Sequence, residues 1–276
     1  MSYVTVRDAR IRYHETGDAG APPVVLLHGI GRSLEDWSAQ HDLLSGDHRV
    51  IAIDMPGFGL SQRHPESTTL ATLSGGVWAT LDALGETRPA HLMGNSLGGA
   101  VAMQMLVDDP DRVSTLTLVN SAGFGKEVTF ALRLLAIPGM GRSLLSRIDR
   151  RTAPRLERTV FADRAMVTPE RVAMAVKIAR QPDFAAVYLE IARALGGLRG
   201  IAPRWRSELL PRVARHAKPT LLVWGERDQI LPVAHLAAAR AAFPHAQWHL
   251  FPSTGHMPQI ERPAEFAALV RSLVVA

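Results

Sequence analysis

The feature that most constrains this sequence is a regular alternation of short apolar, β-rich runs with segments of helical spacing. Such alternation predicts a mostly parallel sheet with helices packed on both faces. Six runs have the composition of buried strands: Val24–Leu27, Arg49–Asp54, Ala90–Met93, Ser114–Asn120, Thr220–Trp224 and Gln247–Phe251. The helical patterns include Thr68–Leu84, Leu97–Val107 and Pro263–Val274. The sequence therefore predicts an α/β domain.

The alternation stops between residues 124 and 206, where the patterns are helical. Thr168-Pro169-Glu170, for example, supplies an N-cap residue, a proline at the first helical position and an acid in the first turn. A helical segment between two strands is best explained as a lid at the carboxyl edge of the sheet, where open α/β sheets bind ligands. We therefore predict a core domain of residues 1–123 and 207–276 with a helical cap of residues 124–206.

The composition excludes several classes of protein. The chain has no cysteine, which rules out disulfides, thiolate metal ligands and a cysteine nucleophile. Its first ten residues lack the apolar region of a signal peptide, and no apolar run approaches the ~20 residues that span a bilayer. We therefore expect a cytoplasmic protein without a transmembrane segment.

The net charge of +5 is unevenly distributed along the chain. Residues 124–206 contain 16 lysines and arginines against 7 aspartates and glutamates. A basic block of this kind occurs on nucleic-acid-binding and membrane-binding surfaces. Here the arginines are interspersed with aliphatic residues at helical spacing, which favours solvated helix faces. We therefore expect no nucleic-acid partner.

A candidate nucleophile lies in the segment Gly94-Asn95-Ser96-Leu97-Gly98, which matches the pattern G-x-S-x-G between a predicted strand and a predicted helix. A nucleophile elbow requires this context. The turn is sharp, the serine is held at strained dihedrals, and side chains in place of the glycines would collide with the neighbouring strand and helix. At a helix start, backbone N–H groups also point toward a developing oxyanion. We predict Ser96 as the nucleophile.

A serine hydroxyl needs a general base, and the base needs a carboxylate that orients it. His256 is favoured among 11 histidines because it follows the strand Gln247–Phe251, in a loop at the strand's C-terminal end. The acid is expected between serine and histidine in chain order. Asp228 is favoured over Glu226 because it lies further along its loop, where the chain bends back toward His256. A second position for the acid, at the end of an earlier strand, holds Asn120, which has no carboxylate.

The oxyanion hole requires two N–H donors. One is expected from Leu97, the residue after the nucleophile. The other is expected in the loop His28-Gly29-Ile30-Gly31, from Ile30 or, as the second choice, from Gly31. His28 ends a strand that precedes the nucleophile, so we predict that it holds this loop by hydrogen bonds and does not act as the base.

Taken in chain order, these motifs resemble the α/β-hydrolase superfamily. The resemblance rests on five segments and covers the chain apart from residues 124–206: 28–31, 54–61, 94–99, 224–228 and 255–256. It implies the α/β-hydrolase fold, with a mostly parallel eight-stranded sheet flanked by helices and a helical cap inserted after strand 6. The motifs are most similar to those of carboxylesterases and lipases, meta-cleavage product hydrolases, enol-lactonases and cofactor-free haloperoxidases.

The resemblance implies hydrolysis of small, mostly apolar carboxylic esters through an acyl-enzyme on Ser96, without a metal or organic cofactor. The alternative is a carbon–carbon bond (meta-cleavage product) hydrolase or an enol-lactonase with the same triad. Met257 stands where meta-cleavage hydrolases typically carry a tryptophan, and Gly31-Arg32-Ser33 where they tend to have a longer glycine-rich run. Asn95 is shared with them, and an arginine of the cap would meet a substrate carboxylate.

Overall fold

A computed structural model of the protein describes residues 1–137 and 139–274. The strands of the described residues are β1 (Ser2–Val6), β2 (Ala9–Thr16), β3 (Pro23–Leu27), β4 (Arg49–Ile53), β5 (Ala90–Asn95), β6 (Val113–Val119), β7 (Gly196–Gly197), β8 (Gly200–Ile201), β9 (Thr220–Gly225) and β10 (Gln247–Phe251). Eight of them form one sheet in the order β1-β2-β4-β3-β5-β6-β9-β10. Its first two pairings, β1 with β2 and β2 with β4, are antiparallel and the others parallel. The predicted mostly parallel eight-stranded sheet is confirmed.

The helices of the described residues are α1 (Ser38–Leu44), α2 (Leu70–Ala83), α3 (Leu97–Asp108), α4 (Phe130–Leu135), α5 (Met140–Leu145), α6 (Ala153–Val160), α7 (Pro169–Ala179), α8 (Phe184–Leu195), α9 (Pro203–Ala214), α10 (Ala234–Ala242), α11 (Pro258–Glu261) and α12 (Pro263–Val274). They lie between the strands in the chain, as the alternation in the sequence predicts. Short 3₁₀ turns complete several of the connections.

Two hydrophobic cores cover the two faces of the sheet, because successive side chains of a strand point to opposite faces. In β3, Val25 and Leu27 belong to the core beneath α2, α3 and α10, while Val24 and Leu26 belong to the core beneath α1 and α12. All four side chains are fully buried. A strand buried on both faces has no polar alternation, which explains the continuous apolar runs of the sequence.

β1 and β2 were not among the six strands that the sequence pattern predicted. Their composition is mixed: Arg10, Arg12 and His14 alternate along β2 with Ile11 and Tyr13. Such alternation is typical of a strand with one face outside the core, near the edge of a sheet. The continuous apolar run that marked the central strands is absent from this part of the sequence.

Residues 124–206 lie between β6 and β9, and we call them the cap. Its helix α7 begins at Pro169, as the sequence pattern predicts, with the Thr168 side chain accepting a hydrogen bond from the N–H of Arg171. The cap is not entirely helical, because β7 and β8 form a small antiparallel hairpin of two residues per strand. The predicted boundary at residue 206 falls inside α9, which packs against α3 of the core domain.

Among the helices of the described residues, none combines the length and the apolar composition that a membrane crossing requires.

Candidate active site

Ser96 lies at the tight turn between β5 and α3. Its φ of 56° and ψ of −114° fall in a region that side-chain-bearing residues rarely occupy, as the sequence predicts for a nucleophile elbow. The neighbouring glycines are required by close contact. A Cβ at Gly94 would lie 2.2 Å from the backbone of Gly98, and one at Gly98 would lie 2.2 Å from the carbonyl oxygen of Leu27. The strained turn is therefore packed directly against strand and helix backbone.

Asp228 and His256 are brought together by the loops that follow β9 and β10. The Nδ1 atom of His256 lies 2.7 Å from Oδ2 of Asp228, and both side chains are buried. The other carboxylate oxygen accepts hydrogen bonds from the N–H groups of Ile230 at 2.7 Å and Leu231 at 3.0 Å. These contacts fix the carboxylate, which in turn fixes the orientation of the imidazole.

Asn120 is a further part of this arrangement whose role the sequence reasoning missed. It directly follows β6 and has a φ of 44°, in the left-handed region that asparagine tolerates better than most residues. Its Nδ2 donates to Oδ2 of Asp228 at 2.6 Å, and its Oδ1 accepts from the N–H of Gly225 at 3.3 Å. Asn120 has no carboxylate of its own, but its amide holds the carboxylate of Asp228 in place. Its place at the carboxyl end of β6, next to β9, was the available signal.

Glu226, the rival of Asp228, serves a different part of the same loops. Its Oε2 accepts a hydrogen bond from the N–H of Ser253 at 2.9 Å. This contact fixes the turn that leads from β10 toward His256, while the imidazole itself is bonded to Asp228. The geometry is consistent with the preference for Asp228.

Asn95 connects the nucleophile turn to the histidine loop. Its Nδ2 donates to the carbonyl oxygen of His256 at 3.0 Å and to that of Val119 at 3.2 Å. Ser96 follows directly, and its N–H donates to the carbonyl oxygen of Val119 at 3.0 Å. The segments that carry Ser96 and His256 are therefore held against each other through one buried amide side chain.

The loop after β3 passes beside Ser96. A Cβ at Gly29 would lie 3.4 Å from Cβ of Ser96, which is ordinary van der Waals contact. Ile30 and Leu97, the residues predicted to donate N–H groups to an oxyanion, line the same cavity as Ser96. Gly31 has a φ of 67° and is pressed against the cap, since a Cβ there would lie 2.6 Å from Cε2 of Tyr188.

His28 holds this loop through both of its ring nitrogens. Nδ1 lies 2.7 Å from the carbonyl oxygen of Gly29, and Nε2 lies 3.1 Å from the N–H of Met55. The pattern requires a neutral imidazole that donates from Nδ1 and accepts at Nε2. Burial lowers the pKa of His28 and favours the same neutral form. The geometry agrees with the loop-holding role predicted for His28.

A cavity at Ser96 is enclosed jointly by the core domain and the cap. The core domain contributes Ile30, Leu97, Ala122, Ile230 and Leu231, which lie beside Ser96. The cap contributes residues before and in α4, at the end of α8, in the β7–β8 hairpin and in α9: Val128, Leu132, Arg133, Ala192, Leu195, Gly196, Gly197, Gly200, Ile201 and Trp205. Among these lining residues one is charged, Arg133, and its Nε donates to the carbonyl oxygen of Val128 at 3.0 Å. An apolar cavity with one cation suits a largely apolar molecule that has an anionic group.

Known proteins show which family the chain belongs to. Residues 22–263 match the family described as alpha/beta hydrolase fold. The match includes the turn at Ser96, the loop at Asp228 and the loop at His256. The chain therefore belongs to the α/β-hydrolase fold family.

Two relatives of known name and one solved structure are similar to this chain over most of its length. The chain is 33% identical over 269 residues to the dihydrolipoyllysine-residue acetyltransferase component of an acetoin cleaving system from Cupriavidus necator, covering 98% of this chain and 67% of that protein. It is 32% identical over 273 residues to a 2-hydroxymuconate semialdehyde hydrolase from Pseudomonas, covering 95% of this chain and 89% of that protein. A meta-cleavage product hydrolase structure from Pseudomonas fluorescens superposes with a TM-score of 0.82 at 26% identity, covering 99% and 97% of the two chains.

Proposed function

We propose that the chain hydrolyses a carbon–carbon bond in a conjugated oxo acid, with Ser96 as nucleophile, His256 as general base and Asp228 as the orienting acid. The observation that carries the proposal is the apolar cavity at Ser96 with one cation, Arg133, in its lining. Relatives whose names describe hydrolases of such acids support it, one of them along nearly its whole length. Between the two activities that the motifs imply, the relatives favour this one over ester hydrolysis.

The proposed reaction proceeds through an acyl-enzyme. Oγ of Ser96 attacks the carbon of the 6-oxo group while His256 takes the hydroxyl proton, and the N–H groups of Ile30 and Leu97 stabilise the oxyanion. The carbon–carbon bond then breaks, its electron pair passes to the conjugated acid fragment, and that fragment receives the proton from His256. Water, deprotonated by His256, finally cleaves the acyl-enzyme and releases a carboxylic acid.

Arg133 would bind the carboxylate of the conjugated acid. Arg133 is the one charged residue among the described residues that line the cavity, and a charge-assisted hydrogen bond is strong in largely apolar surroundings. The carboxylate would thereby fix which oxo carbon of the substrate meets Ser96.

Ester hydrolysis with the same triad is the second candidate. Met257, buried directly after His256, stands where meta-cleavage hydrolases typically carry a tryptophan. The segment Gly31-Arg32-Ser33 likewise differs from their longer glycine-rich run. An acyl-enzyme on Ser96 serves both reactions, so the difference lies in the leaving group that the cavity accepts.

The two candidates are separated by a substrate panel. We expect purified protein to cleave 2-hydroxy-6-oxohexa-2,4-dienoate or its 6-phenyl analogue with a higher kcat/KM than p-nitrophenyl acetate, butyrate or octanoate. The Ser96→Ala variant is the control for adventitious hydrolysis and should cleave none of them. Higher kcat/KM on an ester than on either dienoate would reject the carbon–carbon proposal in favour of ester hydrolysis.

A further inference from the structure

A cluster of four charged side chains, whose two carboxylates are buried and whose two guanidinium groups are partly exposed, joins the oxyanion loop to the cap. Arg32 donates from Nε and Nη2 to the two carboxylate oxygens of Asp36, at 2.8 and 2.7 Å, and from Nη1 to Glu157 of α6. Arg171 of α7 lies with its Nη1 atom 3.6 Å from Oδ1 of Asp36. The side chains of Asp36 and Glu157 are 4% and 3% exposed. The two positive and two negative charges balance.

Stability alone does not account for this cluster. Removing charges from water is costly, and buried ion pairs are often no more stabilising than apolar residues of similar volume. Their directional hydrogen bonds, in contrast, fix the relative position of the groups they join. Arg32 lies two residues after Ile30, whose N–H is the proposed oxyanion donor. The cluster therefore sets where the oxyanion loop lies relative to α6.

The C-terminal residue of α6, Val160, is attached to the histidine loop. The carbonyl oxygen of Val160 accepts a hydrogen bond from the N–H of His256 at 2.8 Å. Glu261 accepts from the N–H of Ala162 at 3.0 Å through Oε2 and from the N–H of Gly255 at 2.7 Å through Oε1. One carboxylate thus joins the residues after α6 to the residue before His256.

We propose that α6 is a brace between the two catalytic loops and that Glu157 and Arg32 are positioning residues for the oxyanion hole. Glu157 holds the oxyanion loop, and Val160, three residues later, holds the backbone of His256. One turn of helix therefore fixes the distance between the donor at Ile30 and the base. The inference relies on the proposed function only in its use of Ile30 and His256 as catalytic groups.

The test is the rate at which a fluorophosphonate labels Ser96, since this reaction needs the base and the oxyanion hole but no particular substrate. Glu157→Gln keeps the size of the side chain and removes the charge that holds Arg32. Displacement of an oxyanion donor by a fraction of an ångström to 1 Å lowers rates by about 10- to 100-fold. We expect a fall of that size in the labelling rate and in kcat. KM should change by no more than about twofold, because the substitution does not touch the substrate.

A matched control is available in the core domain. Arg49 and Glu86 form a buried pair of similar kind, with 3.0 Å between Nη1 and Oε2, ahead of β5 at the end of the sheet away from Ser96. Glu86→Gln should lower the thermal midpoint as Glu157→Gln does while leaving labelling at the wild-type rate. Arg32→Lys, which keeps the charge and loses the planar fork, provides a milder variant if Glu157→Gln does not fold.

Wild-type labelling in folded Glu157→Gln or Arg32→Lys would overturn the brace, and so would an equal loss of labelling in Glu86→Gln. Hydrogen exchange offers a second measurement, because the amide of His256 should exchange faster in Glu157→Gln than in Glu86→Gln. A chain that cleaves no dienoate but shows the expected labelling pattern would reject the proposed function and support the brace.

Discussion

The carboxyl edge of the sheet and the junction with the cap both surround Ser96, and they are held together by different interactions. At the edge, the Asp228 carboxylate is fixed by two backbone N–H groups, an amide and an imidazole. At the junction, Arg32 is fixed by the carboxylates of Asp36 and Glu157. Ser96, Asp228 and His256 follow β5, β9 and β10, and the order of these strands in the sheet already brings the three residues to the same end of the sheet. The junction instead depends on a few charged pairs between distant parts of the chain.

This difference separates the two tasks of the site. The edge carries Ser96, Asp228 and His256, the residues that we propose make and break bonds. In the brace proposal the junction positions the oxyanion loop, whereas the cap contributes residues that line the cavity, including Arg133. Substitutions at the edge should therefore affect all substrates alike, whereas substitutions in the cap should affect some substrates more than others.

The largest expected effect belongs to the edge. Asp228→Asn preserves the shape of the side chain but removes the charge that stabilises the imidazolium and selects its tautomer. In a serine protease triad the same change lowers kcat by about 10⁴-fold. We expect a loss of about that size for every substrate that the wild type cleaves, measured as kcat under saturating substrate.

Glu226→Gln is the matched control, since Glu226 lies in the same loop and bonds to the backbone of Ser253. It should retain kcat within about tenfold, because a loop contact is weakened and the triad is not. A greater loss in Glu226→Gln than in Asp228→Asn would show that the acid has been assigned to the wrong carboxylate.

The same comparison explains what could be predicted from the sequence. Ser96, Asp228 and His256 stand in short motifs at strand ends, so strand order alone places them at one edge of the sheet. The partner of Arg32 could not be predicted in this way, because Glu157 is 125 positions away and nothing local distinguishes it from other acids of the cap.

The fold shows the same limit. The central strands were predicted because they are apolar on both faces, as Val24–Leu27 shows, whereas β1 and β2 have mixed composition and were missed. The β7–β8 hairpin consists of two residues per strand, three of the four being glycines, and such a segment has no periodicity to detect. The local sequence pattern was sufficient to predict strands that are continuously buried. It was insufficient for strands that pair over only two residues.

A smaller and selective effect is expected in the cap. Arg133→Gln removes the cation from the cavity lining and keeps a side chain of similar length. A hydrogen bond to a charged group contributes about 1.5–3 kcal/mol, which corresponds to about 10- to 150-fold. We expect kcat/KM for a dienoate to fall by that factor, mainly through KM, while kcat/KM for a neutral p-nitrophenyl ester changes little.

Arg142→Gln, at an exposed arginine of α5, is the charge-matched control and should leave both substrates unaffected. An equal loss for the dienoate and the ester in Arg133→Gln would show that Arg133 maintains the cavity and does not bind a carboxylate. A loss for the dienoate in Arg142→Gln as well would assign the effect to the overall charge of the cap.

The smallest expected effect concerns stability, and it separates the two regions by pH. The core domain buries imidazoles in their neutral form: burial lowers the pKa of His91 to about 4 and that of His41 to about 3. An unfolded histidine has a pKa of about 6.5, so the unfolded chain binds more protons than the native chain below that pH. Stability from these residues is complete above about pH 6.5 and declines as the pH falls toward the native values. The charge of Asp36, whose pKa Arg32 holds below its ordinary value against the effect of burial, persists over this range.

His91→Gln tests this on the core side of the comparison, since glutamine can retain the hydrogen bond to Oγ1 of Thr115 without titrating. Between about pH 6 and pH 4 the free energy of unfolding of this variant should fall less steeply with decreasing pH than that of the wild type. The two slopes should differ by about 1.4 kcal/mol per pH unit, because the variant lacks one proton-binding group. Urea denaturation at a series of pH values measures the slope, and His245→Gln, at an exposed imidazole, is the control. A wild-type slope in His91→Gln would mean that His91 is protonated in the native protein, and the acid sensitivity would then have to come from other groups, including the charges at the cap junction.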